Sequence, residues 1–152
     1  MLVAMTAIAT ACGSPPTAAT ASPSPSPAAP SPSSSPSPSG LTFKLGGIST
    51  TASGTVTLTT QPSNLLVELK IAGLQPNSSH VSHIHVGSCQ QRGNISLALS
   101  TVAADAQGDA DAKTTLTASY PPASGTWYVV VHAGPDMQGT NATYLLCGNL
   151  FA

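Results

Sequence analysis

Four histidines stand in a chain of which only 6% of residues are charged. His83 and His85 lie two apart in the run Ser82-His83-Ile84-His85-Val86. That run reads as a strand, on which residues two apart point to the same face. Two neutral imidazoles on one face chelate a single ion, and imidazole nitrogen suits copper and zinc. His132 closes the apolar run from Thr126 to Val131, where a sheet can present a third imidazole beside the first pair. His80 falls in the turn just before. The competing reading is four separate surface or hydrogen-bonded histidines. A lone histidine favours that reading; three clustered near strand ends favour a shared ion.

The three cysteines divide by position. Cys12 follows a short apolar run from Leu2 to Ala11 and precedes Gly13 and Ser14. The run is too short for a bilayer core of about 30 Å, which takes roughly 20 apolar residues. Small residues leading into a cysteine resemble the bacterial lipobox, with Cys12 as the lipidated residue; the alternative is an apolar terminus with an incidental cysteine. With Cys12 spent on lipid, Cys89 and Cys147 remain as a disulfide pair in a secreted protein. Two free thiols serving as copper ligands are the alternative.

The elements that must position these residues begin after a spacer. Residues 13–39 are almost wholly Pro, Ser, Ala and Thr, with no apolar periodicity from which to build a core. The expected organisation is therefore a signal region at 1–12, a disordered linker at 13–39 and one folded domain at 40–152. Within the domain, Gly54–Thr59 and Leu65–Ile71 alternate in period two, with Val56 and Leu58, and then Leu65, Val67, Leu69 and Ile71, each sharing a face. Further strands are expected at Ser82–Val86, Ser96–Ala103, Asp109–Ala118, Thr126–His132 and Thr143–Phe151, with a hairpin signal at Asp105–Gly108. Seven or eight short strands at this spacing predict an all-β, antiparallel β-sandwich or flattened barrel. A formal net charge of −1 supplies no field for gathering nucleic acid.

The motifs then carry a resemblance. His80-Val81-Ser82-His83-Ile84-His85-Val86-Gly87-Ser88-Cys89 resembles the copper strand of the copper/zinc superoxide dismutases. Val129-Val130-Val131-His132-Ala133-Gly134-Pro135-Asp136 is similar to that family's second copper motif, and Leu145-Leu146-Cys147-Gly148 to the segment bearing its other half-cystine. The resemblance runs from about Gly54 to the C-terminus. It implies a Greek-key superoxide dismutase-like fold, a Cys89–Cys147 disulfide, and one copper ion on His83, His85 and His132. His80 matches a histidine whose hydrogen bonds hold a loop. Asp136 matches the aspartate that orients a metal-binding histidine from behind, where a carboxylate on the remote ring N–H sets its tautomer.

The pattern also departs from that family. No histidine lies between His85 and His132, so the bridging ligand and the zinc ligands are missing and zinc is not expected. Tyr144 occupies the position of the arginine that draws superoxide to copper, and the loop from Ala133 to Thr143 carries only Asp136. Met137 offers a fourth ligand, or packs on the sandwich edge. Three functions follow as expectations: an extracytoplasmic, lipid-anchored copper protein dismutating superoxide slowly; a copper-sequestering or copper-delivering protein without catalysis; or a structural chordin-type β-module, which gives no reason for the Cys89/Cys147 pair.

Overall fold

The structure is a computed structural model that describes residues 40–152. The Cys12 lipidation and the spacer lie outside the described residues. Ten strands form in chain order: β1 Leu41–Gly47, β2 Ser53–Thr60, β3 Leu65–Ala72, β4 Ser79–His80, β5 Ser82–Gly87, β6 Arg92–Ala98, β7 Val102–Ala103, β8 Ala110–Leu116, β9 Trp127–His132 and β10 Tyr144–Asn149. The large sheet runs β6-β5-β9-β10-β1-β2-β3-β8, and β4 pairs with β7 apart from it. Every pairing is antiparallel.

Strand β1 is the corner of the sandwich. Its residues Leu41 to Leu45 pair with β2, whereas Gly46 and Gly47 pair with β10. A methyl group on Gly47 would run into the carbonyls of Thr50 and Ala52, so the fold-over needs glycine there. One half of the sheet is thus β1-β2-β3-β8, and the other is β6-β5-β9-β10. The segment that follows β6 reaches β8: Ser100 N donates to Thr114 Oγ1 (2.8 Å), and Ser100 Oγ donates to Lys113 O (2.9 Å).

The core lies between the halves. Val56, Leu58, Leu65, Val67, Leu69 and Ile71 point inward from β2 and β3, as the period-two pattern predicts. Ile84, Val129, Val131 and Leu146 meet them from the other half. Strand β9 is buried at every position. Its even neighbours Tyr128 and Val130 belong to a second, outward cluster with Cys147, against which Cys89 and Tyr144 pack. Burial on both faces explains why Trp127 to Val131 reads as a continuous apolar run rather than an alternating one.

Three expectations shift. Strand β1 was not anticipated, since its alternation ends at the Gly46-Gly47 corner. The strand expected at Ser96–Ala103 is split between β6, Arg92–Ala98, and the short β7, Val102–Ala103; it is the start of β6 that differs. That strand is an exposed edge, so no buried face marks its register. The Asp105 turn forms, with Asp105 Oδ1 accepting from Gln107 N (2.8 Å) and Asp109 N (2.9 Å), but it is not a hairpin: β7 before it pairs with β4, and β8 after it pairs with β3.

Candidate metal centre

His83 and His85 project from β5 on the face opposite Ile84, which is fully buried in the core. Strand β9 runs beside β5 with His83 facing Val130 and His85 facing Tyr128. His132, at the end of β9, follows Tyr128 and Val130 on that same outward face. One ring nitrogen from each of His83, His85 and His132 lies within 4.8 Å of the other two. His132 is 1% exposed and His85 4%, while His83 is half-buried. The three rings are brought together.

The hydrogen bonds say which nitrogens face the common point. His85 Nδ1 donates to Gly93 O at 3.0 Å, and His132 Nδ1 donates to Ala142 O at 2.8 Å. A carbonyl only accepts, so in each neutral ring Nδ1 carries the proton and Nε2 keeps its lone pair. Those two Nε2 atoms and His83 Nδ1 are buried with no hydrogen-bond partner among the described residues. A buried polar atom without a partner costs about 1–3 kcal/mol. Three of them converging is the arrangement that a cation relieves. Burial, with the neighbouring rings His132 and His85 adding to it, holds His83 below its ordinary pKa. Burial lowers His132 also, against the opposing pull of the Ala142 carbonyl. Both shifts favour the neutral ring, the form that binds metal.

The supporting residues differ in part from expectation. His80 is buried; its Nδ1 donates to the carbonyl of His132 (2.9 Å) and its Nε2 pairs with Ser78 Oγ (2.8 Å). It holds the end of β9. Asp136 does not reach a histidine: its Oδ1 accepts from Gln138 N (2.9 Å) and Asn141 Nδ2 (3.1 Å). The remote N–H groups that a carboxylate was expected to fix are fixed by two backbone carbonyls instead. Met137 is 42% exposed. Cys89 and Cys147 form a disulfide, so neither offers a free thiol.

Tyr144 sits beside the histidines because β10 slips register between Tyr144 and Leu146. The bulge turns Tyr144 to the outward side shared by Cys147 while Leu146 stays in the core. The Tyr144 hydroxyl is 3.4 Å from His85 Nδ1 and 3.0 Å from the Tyr128 hydroxyl. Burial first, then the bond to Tyr128, push its pKa up to about 12, although Arg92 opposes the shift. The Arg92 guanidinium lies over the Tyr144 ring, 4.3 Å from its centre. The positive charge missing from the position of Tyr144 is thus supplied next to it by another strand. Sequence reading missed Tyr128, Arg92 and the carbonyls of Gly93 and Ala142. The only usable signal was that Arg92 is the one arginine in the chain.

A family model described as the CHRD domain matches residues 39–138. That is about two-thirds of the chain, which belongs to this family. Membership answers to the chordin-type module among the three expectations, so the cysteine pair, whose Cys147 lies beyond the match, does not count against it. Solved structures resemble the fold. A superoxide dismutase-like protein from Bacillus subtilis aligns at a TM-score of 0.61 and 15% identity, covering 74% of this chain and 100% of that one. A mutant of that protein aligns at 0.58 and 15% identity, and a double mutant at 0.57 and 16%, each covering 73% of this chain and 97% of the other. The likeness to superoxide dismutase therefore lies in the fold. No curated protein matches the chain.

Proposed function

We propose that this chain is an extracytoplasmic copper-binding module that holds one copper ion on His83, His85 and His132. The observation carrying this reading is the convergence of three buried imidazole nitrogens that have no hydrogen-bond partner among the described residues. Among divalent first-row ions, copper binds such a nitrogen set most tightly. Bound copper supplies one-electron redox chemistry. This chain's residues do the rest: Gly93 and Ala142 orient two rings, His80 fixes the end of β9, and Tyr128 and Tyr144 cover the site. With a single half-buried ligand, His83, facing the exterior, the arrangement favours retention over turnover. The disulfide supports an oxidising compartment. Lipid on Cys12 would tether the module to the cell envelope, with no role in nucleic-acid binding.

Titration of the full chain with Cu(II), followed by electron spin resonance, tests the site. One tight equivalent with nitrogen hyperfine coupling is expected, lost in His83→Ala and His132→Ala. Binding that persists in both variants removes the assignment. Cys12→Ser tests the tether: the protein should appear in the medium, and retention on membranes argues against lipidation.

The second reading, slow reaction with superoxide, is favoured by one observation, the Arg92 guanidinium against Tyr144 next to His85. The copper-loaded chain should then speed superoxide decay, and Arg92→Gln should cut that rate. Decay no faster than with the metal-free chain rules it out.

A further inference from the structure

Charge in this molecule is sparse and unevenly spent. Among the described residues, Lys70 pairs with Glu68 and Asp111, and Lys113 with Glu68. Asp105, Asp109 and Asp111 line one cavity beside β2 and β3. Lys44 and Arg92 enter no ion pair. Both line a different cleft of about 450 Å³ beside the Cys89–Cys147 bridge, with Gly46, Gln90 and Asn149 on its walls and no carboxylate lining it. Cleft volumes of roughly 300–1,000 Å³ suit small molecules.

The neutral groups there are biased toward donation. Asn149 Oδ1 accepts from Cys89 N at 2.8 Å, and Gln90 Oε1 accepts from Asn149 Nδ2 at 3.3 Å. Each amide oxygen is thus engaged, whereas Gln90 Nε2 and the second proton of Asn149 Nδ2 remain to donate. At Gly46 an added Cβ would meet nothing nearer than Cys147 O at 3.9 Å, so no side chain fills that position. Arg92 is also steadied by its stack on Tyr144, so little side-chain freedom is lost when it engages a ligand. Two cations, spare amide donors and no competing acid define a chemistry.

We propose that this cleft beside the Cys89–Cys147 bridge binds a small multivalent oxyanion, gripped between Lys44 Nζ and the Arg92 guanidinium. Arginine meets carboxylate or phosphate oxygens with two parallel N–H donors, and lysine adds a point charge. The cleft adjoins the histidine site through Arg92 and Tyr144, but none of its lining residues is a histidine and it does not depend on metal.

The test is amide chemical-shift titration of the metal-free full chain with inorganic phosphate and, separately, with citrate, against chloride at matched ionic strength. Saturating shifts centred on Gly46, Gly47, Cys89 and Gly148 are expected. Lys44→Ala and Arg92→Ala should each weaken binding about tenfold, the loss of one charge-assisted contact. Tighter phosphate binding identifies a compact tetrahedral ligand, and tighter citrate binding an extended polycarboxylate. Shifts no different from those with chloride, or a Lys44→Ala/Arg92→Ala protein that binds as tightly as the parent, overturn the proposal.

Discussion

The ring of His132 is tied to the backbone of Ala142, Nδ1 to carbonyl oxygen, at 2.8 Å. Ala142 ends the short 3₁₀ turn Gly139–Ala142, and Asp136 grips the preceding Asn141 at 3.1 Å. Asp136 therefore acts on the histidine through the loop, one step removed from where its sequence motif suggested.

That indirect link sets the first prediction. Asp136→Ala should weaken copper binding by up to about tenfold, the low end for loss of an outer partner of a ligand. His132→Ala should abolish it. Titration calorimetry separates these outcomes, and parental affinity in Asp136→Ala means the loop holds Ala142 without the carboxylate.

The pH dependence of the metal-free protein follows from two lowered pKa values. Burial, chiefly, holds His83 and His132 below 6.5, so the folded state favours their neutral forms. The unfolded chain takes up protons first as pH falls through 6.5. Stability from these rings is complete above that value and is lost on acidification below it. The urea midpoint should drop between about pH 7 and about pH 5. In a His83→Gln/His132→Gln protein the drop should be smaller. An equal drop would assign the effect to other groups.

Gly93 carries two duties at one residue. Its carbonyl anchors His85, and its Cα lies so close to Val86 O that any Cβ would collide with that backbone. Gly93→Ala should destabilise the domain by about 1–3 kcal/mol, an overpacking cost, and weaken copper binding as well. Chemical denaturation and copper titration of the same variant measure both. A change in stability alone would show that His85 keeps its orientation without the Gly93 carbonyl.

How legible the site was depended on the kind of interaction. The pair His83 and His85 was visible because strand periodicity is a local rule, and so was the inward set Leu65, Val67, Leu69 and Ile71. That His132 joins the pair needed β9 beside β5, which the apolar run and the family resemblance together anticipated. Tyr144 was located by motif, yet its contact with His85 depends on a bulge in β10 that no residue pattern announces. Arg92 reaches Tyr144 only because the edge strand β6 starts at Arg92, earlier than the apolar residues from Ile95 onward imply. Backbone acceptors such as Gly93 O and Ala142 O are shared by every residue type and leave no compositional trace.

The disulfide offers the last prediction. Cys89 and Cys147 close a loop of 58 residues, and they pack with Tyr128, Val130 and Tyr144 in the outward cluster beneath the histidines. In the chain-entropy account, opening a loop of this size costs about 4 kcal/mol, and removal of native bridges from small secreted domains typically costs 2–5 kcal/mol. Cys89→Ser/Cys147→Ser should therefore lower the urea midpoint by a corresponding amount. Because the same cluster seats Tyr128 against His85, with ring centres 5.1 Å apart, copper affinity should fall along with stability. Measuring copper binding well below the unfolding midpoint separates the two effects. Unchanged affinity in the folded variant would make the bridge a staple for the fold alone, with Tyr128 held in place by its buried position in β9.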